Sequence, residues 1–146
     1  MSQETNPGRA VGRLLSRACE LKHRRMHALL DELGLYCGQP FVLHALWNQD
    51  GMTQSELSER LKRSPSTITK TVQRMERAGF VERRPDDNDE RISRVYLTDA
   101  GRDIRPAVEN AWRTLDQQLF SGFSADELEL LLDLLHRFCQ NIENPL

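Results

Sequence analysis

The stretch TQSELSERLKRSPSTITKTVQRMERAG, residues 53 to 79, fixes both ends of two short consecutive helices. Thr53 and Glu56 form a capping box, in which the Thr53 hydroxyl accepts from the Glu56 amide while the Glu56 side chain reaches back. A helix over roughly 54 to 62 follows. Ser64 is a good N-cap, Pro65 suits a first helical position, and Gly79 marks a C-terminal stop, so a second helix spans 65 to 78. In that helix Ile68, Val72 and Met75 recur at four and three, which gives one narrow buried stripe. Ser66, Thr67, Thr69, Lys70, Thr71, Gln73 and Arg74 remain for other faces.

The flanking segments complete a mainly helical chain. Residues 1 to 8 are polar and aperiodic and read as a loose end. Apolar positions from Val11 and Leu14 to Leu33 mark a long helix over roughly 9 to 33, and Gly34 sits at its stop. Pro40 is tolerable only in a first helical turn, so QPFVLHALWNQ opens another helix. Phe80 to Arg84 and Arg94 to Leu97 are β-favouring runs separated by PDDNDERIS, which predicts a hairpin with a long polar tip. Thr98 caps a helix carrying Ile104, Val108, Ala111, Trp112, Leu115 and Leu119, in which Pro106 predicts a kink near Arg105 or a shifted start. SADE at 124 to 127 is a second capping box, opening a helix with Leu128, Leu131, Leu132, Leu135, Phe138 and Ile142. An apolar face that broad on a terminal helix points to a second copy covering it.

Two short helices with a tight connection, followed by a hairpin with a charged tip, are the parts of a winged helix-turn-helix. A major groove admits one α-helix, and the hydroxyl, amide and cationic groups of the 65 to 78 helix suit base edges and phosphates. Ser64, Ser66 and Thr67 line its first turn, where free amides favour a phosphate. The hairpin tip has the length and charge to reach an adjacent minor groove, whose negative potential attracts arginine.

Charge distribution supports the same reading. The formal net charge of −2 argues against indiscriminate coating of nucleic acid, yet residues 60 to 94 hold ten Lys or Arg against six acids, and residues 99 to 146 hold four against nine. Three widely spaced cysteines, without a CxxC motif, signal peptide or long apolar run, predict a reduced cytoplasmic protein away from any membrane. No Gly-rich phosphate loop and no nucleophile with a base at a recognisable spacing supports catalysis. No cofactor and no metal is expected.

Residues 35 to 102 as a run resemble the multiple-antibiotic-resistance regulator (MarR) family of winged-helix transcription factors. The matches are Gln39 with Leu43, the TQSEL step, SxxTITKxVQRMExxGFVER, and a DxxDxR tip followed by VYLTDAG. The resemblance implies a single domain over 1 to 146, with a DNA-binding lobe at 36 to 98. Helices at 9 to 33 and 99 to 144 would form the dimerisation part, so that a homodimer sits on pseudo-palindromic double-stranded DNA. Val11, Leu14, Leu128, Leu131, Leu135 and Phe138 are the expected interface residues. Ser64, Ser66, Thr67, Thr69, Lys70, Gln73, Arg74, Arg84, Asp89 and Arg91 are the expected DNA-binding residues. By this likeness Asp89 holds Arg91, the arginine that enters the minor groove, and Glu90 stands where the family often has a basic residue. Many members bind phenolic or aromatic carboxylic effectors, for which Tyr36, Trp112 and Arg17 are candidates. Repression is expected over activation.

Other readings stay open beside this one. Cys19 and Cys37 invite a redox role, against that of packed inert thiols. His23 and His27, four apart with Glu20 one turn back, share a helical face on which His44 or His136 would complete a zinc site, against that of ordinary surface histidines. A winged helix can also serve as a protein-interaction module without touching DNA.

Overall fold

The computed structural model describes residues 6–36 and 38–144. They form two compact units, one running to Trp112 and the other starting at Arg113. In the first, α1 spans Pro7–Asp31. The Asn6 side chain accepts from the Gly8 amide at 2.9 Å and Pro7 occupies the first turn, so Pro7 and Gly8 belong to the helix and not to a loose end. Gly34, at φ 70°, turns the chain after the helix, three residues beyond its observed end.

Helix α2 (Gln39–Asn48) places Pro40 in its first turn, where no amide is missed. Helix α3 (Gln54–Leu61) carries the full capping box of Thr53 and Glu56, and α4 (Pro65–Arg77) is capped by Ser64. Strands β2 (Val81–Pro85) and β3 (Ser93–Leu97) pair antiparallel, with Arg84 opposite Arg94 and Val81 opposite Leu97. A third strand, β1 (Met52–Thr53), pairs with β3 on its other side, giving the order β1-β3-β2. The sequence predicts only a two-stranded hairpin here. Two residues leave no periodicity to read, and pairing with β3 makes them a strand.

The core of this unit joins Leu43 and Leu46 of α2, Leu57 of α3, Ile68, Val72 and Met75 of α4, and Val81, Val95 and Leu97 of the sheet. Each such burial stabilises by about 1.5–3 kcal/mol relative to exposure. The i, i+4, i+7 stripe of α4 therefore fixes which of its faces is left outward. Buried Gln39 is satisfied because its Oε1 accepts from the Tyr36 amide at 3.0 Å.

After β3, Thr98 staples the sheet to α5 (Asp99–Asp103). Its amide donates to Phe80 O at 3.1 Å, and its hydroxyl accepts from Gly101 N at 3.1 Å. Gly101 O in turn accepts from Trp47 Nε1 at 2.8 Å. A Cβ on Gly101 would lie 2.1 Å from Phe80 O, so only glycine fits. The helix then breaks at Ile104, and α6 (Arg105–Leu119) starts with Pro106 in its first turn, the shifted start expected of that proline.

In the second unit, α7 (Ala125–Glu143) opens on the Ser124 and Glu127 capping box. None of its residues is buried, and Leu130, Leu132, Leu134, Leu135, Phe138 and Ile142 are all exposed.

Candidate nucleic-acid interface

The outward face of α4 combines groups that are free with groups already engaged. Among the described residues, exposed Lys70 and Arg74 form no ion pair, nor does Arg77 one turn further on. Ser64 works as the cap, its Oγ accepting from Thr67 N at 3.3 Å and sharing hydrogen bonds with the hydroxyls of Ser66 and Thr67. Gln73 is half-buried. Thr69 has partners within the protein, since its hydroxyl lies 2.8 Å from Gln54 Oε1 and 2.9 Å from Pro65 O and shares its one hydrogen between these two acceptors. With its oxygen so engaged, Gln54 keeps its two N–H donors for other partners. The sequence shows Gln54 only as a position inside a capping box, and its pairing with Thr69 fifteen residues away is tertiary.

At the hairpin tip, Arg91 and Asp89 meet fork to fork: Nε to Oδ1 and Nη2 to Oδ2, both at 3.0 Å. The Arg91 amide also donates to Asp89 Oδ1 at 3.0 Å. These hydrogen bonds hold the Asp89 carboxyl below the usual carboxylate range and raise the guanidinium. The Arg91 side chain is nevertheless 90% exposed. It is braced and presented at the same time.

The other wing arginines are also paired. Arg83 gives Glu76 of α4 two hydrogen bonds from Nε, at 3.1 and 3.4 Å, and one from Nη2 at 2.8 Å, which lower the Glu76 pKa. Arg84, an expected DNA contact, bonds Glu82 and lies over the Tyr96 ring at 5.1 Å. Arg94 bonds Asp86. Glu90 is exposed beside Arg91.

Two open hollows flank this surface. One, of about 530 Å³, is lined by Gly34, Tyr36, Gln39, Arg74, Arg77 and Ala78. The other, of about 320 Å³, lies among Thr53, Gln54, Ser55, Arg91, Ile92 and Ser93. Of the effector candidates, Tyr36 lines the first hollow, while Arg17 and Trp112 do not. Arg17 is exposed on α1, and Trp112 packs against the core with its ring edge-on to His44 at 5.6 Å.

Of the expected interface residues, Val11, Leu14, Leu135 and Phe138 are exposed, whereas Leu128 and Leu131 are half-buried. His23 and His27 stand edge-on at 4.9 Å, and among the described residues no group of three or more His, Cys, Asp or Glu gathers. Cys19 is exposed, and Cys37 lies outside the described residues. No described helix is long and apolar enough to cross a membrane.

Comparison with known proteins agrees with this geometry. A model of the MarR family matches residues 35–93. The HTH-type transcriptional repressor IacR of Pseudomonas putida is 31% identical over 121 residues, covering 82% of this chain and 72% of its own. The uncharacterised HTH-type regulator YybA of Bacillus subtilis is 29% identical over 112 residues, 77% of this chain and 75% of its own. Two further curated relatives are longer, and the chain spans 63% and 56% of them. The crystal structure of a mutant MarR from E. coli complexed with operator DNA superposes with a TM-score of 0.78 at 29% identity, covering 94% of this chain and 99% of that one.

Proposed function

The chain belongs to the MarR family of DNA-binding transcriptional regulators, and from that premise we propose that it is a homodimeric repressor released from its operator by a small effector. In this reading α4 lies in the major groove, with Lys70 and Arg74 as its free cations, and the wing carries Arg91 into the adjacent minor groove. The observation that carries it is the fork between Asp89 and Arg91. A guanidinium that is 90% exposed yet held by two 3.0 Å hydrogen bonds loses little conformational freedom on binding. The acids of the tip aim the arginine instead of opposing it.

The unburied α7 supports the dimer, since its exposed leucines and Phe138 need a cover that a second copy supplies. Two lobes related by a two-fold axis then read half-sites about one helical turn, roughly 34 Å, apart on a pseudo-palindrome. The hollow at Tyr36 supports an effector with an aromatic ring and a carboxylate, because Arg74 and Arg77 line the same space. A carboxylate on Arg74 would compete with a phosphate for it. Repression is the reading supported by the relative that bears that name.

Footprinting on the DNA upstream of its own coding sequence, with and without a panel of aromatic acids, tests the whole reading. On the footprinted duplex, Arg91→Ala weakens binding by about 1–3 kcal/mol and has little effect on unrelated duplex. Unchanged affinity at physiological salt removes the wing from the interface.

A further inference from the structure

The tip of the wing has no core of its own. Ile92, the one apolar side chain between β2 and β3, is 41% exposed, so hydrophobic contact does not set the conformation of residues 86 to 92. Polar contacts do, and they converge on Asp86. Its Oδ1 accepts from the amides of Asn88 at 2.8 Å and Asp89 at 3.1 Å, and its Oδ2 accepts from Arg94 Nε. The Asp86 amide closes the turn by donating to Ile92 O at 2.8 Å. Only 12% of the Asp86 side chain remains exposed.

Arg94 carries the connection out of the wing. Its Nη1 donates to Gly51 O at 2.9 Å and lies 3.7 Å from Glu56 Oε2. That same Glu56 oxygen accepts from Thr53 N at 2.7 Å in the capping box of α3. A continuous polar path thus runs from the start of α3, through Arg94 and Asp86, to the amide of Asp89, whose carboxylate holds Arg91. Arg94 faces these groups from the β1 turn, from α3 and from the wing at once, a task for a planar fork with several donors.

We propose that Asp86 and Arg94 form a clasp that positions the wing against the helix-turn-helix, and that Arg91 meets the minor groove only while the clasp is closed. Both are positioning residues and neither touches DNA. The inference rests on the reading of the wing as the groove-reaching element.

Charge and position predict opposite signs at Asp86, which makes the inference testable. Deleting a carboxylate from a DNA-facing wing strengthens binding if only charge matters. The clasp requires the reverse: Asp86→Asn in the full-length protein weakens binding to the footprinted duplex about tenfold, comparable to the loss of one groove contact. Arg94→Lys, which conserves charge and removes the fork, gives a similar loss and covers the case in which Asp86→Asn folds poorly. In the Arg91→Ala background, Asp86→Asn then changes affinity by less than about twofold, because its effect passes through Arg91. Equal or tighter binding by Asp86→Asn with unaltered Arg94→Lys affinity overturns the clasp, as do losses from Asp86→Asn and Arg91→Ala that multiply. If Arg91→Ala alone binds normally, the minor-groove reading falls, and the clasp falls with it.

Discussion

Replacing Gly101 by alanine sets two rules of helical stability against each other. Gly101 lies inside α5, where helix propensity alone favours alanine by about 1 kcal/mol. The structure opposes it. A Cβ there would sit 2.1 Å from Phe80 O and 3.1 Å from Leu97 Cδ2. A close carbon–oxygen approach is about 3.3 Å, so the carbonyl or the helix must retreat by roughly 1 Å. The carbonyl is held, because it accepts from the Thr98 amide at 3.1 Å, and the helix is held by the 2.8 Å bond from Trp47 to Gly101 O. An overlap of this kind costs roughly 3 kcal/mol, the upper end of ordinary overpacking. Net of propensity, Gly101→Ala destabilises by about 2 kcal/mol, or about 4–8 °C in Tm for a chain of this size. Urea denaturation at fixed protein concentration, followed by circular dichroism, measures it. A variant as stable as the parent, or more stable, would refute the reasoning.

Two other perturbations address assembly and acid sensitivity. Leu135→Lys puts a charge on the exposed apolar face of α7 and should convert the proposed dimer to monomer in sedimentation experiments, whereas a variant still dimeric at micromolar concentration counts against that face as the interface. Glu76 has a pKa below 4.5 in the folded chain, chiefly through hydrogen bonds from Arg83, so its contribution is present above 4.5 and lost as pH falls through the lowered native value. Both partners are about one-third exposed, which limits the pair to about 0.2–1 kcal/mol. Glu76→Gln should therefore lower stability by that amount at neutral pH and match the parent in acid. A difference independent of pH would show that the ion pair is not its cause.

What could be read in the sequence was what depends on near neighbours. The boxes at Thr53 with Glu56 and at Ser124 with Glu127, the cap at Ser64 and the break before Pro106 all involve residues within four positions, and each is in the structure as expected. Arg91 and Asp89, two residues apart, also meet as the family likeness implied. The partners of Arg83 and Arg94 were beyond that reach. Glu76 belongs to α4 and meets Arg83 on β2 only after the turn at Gly79 folds back, while Asp86 and Arg94 meet across the hairpin. Strand β1 was missed for the same reason, since what defines its two residues is their pairing with Arg94 and Val95. Thr69 is expected as a DNA contact from its place on α4, and its 2.8 Å contact with Gln54 Oε1 is a tertiary pairing that the sequence does not show.

The pairing of Arg83, Arg84, Arg91 and Arg94 with Glu76, Glu82, Asp89 and Asp86 also bears on how such a protein finds its site. Long-range attraction follows net charge, and a wing whose arginines each carry an internal counter-ion projects little of it. In the proposed reading, diffusive capture of duplex and sliding along it draw on cations without an internal counter-ion, Lys70, Arg74 and Arg77 of α4 among them. On that reading such a wing would add almost nothing to residence time on irrelevant sequence, and it would engage only after one helix has already arrived.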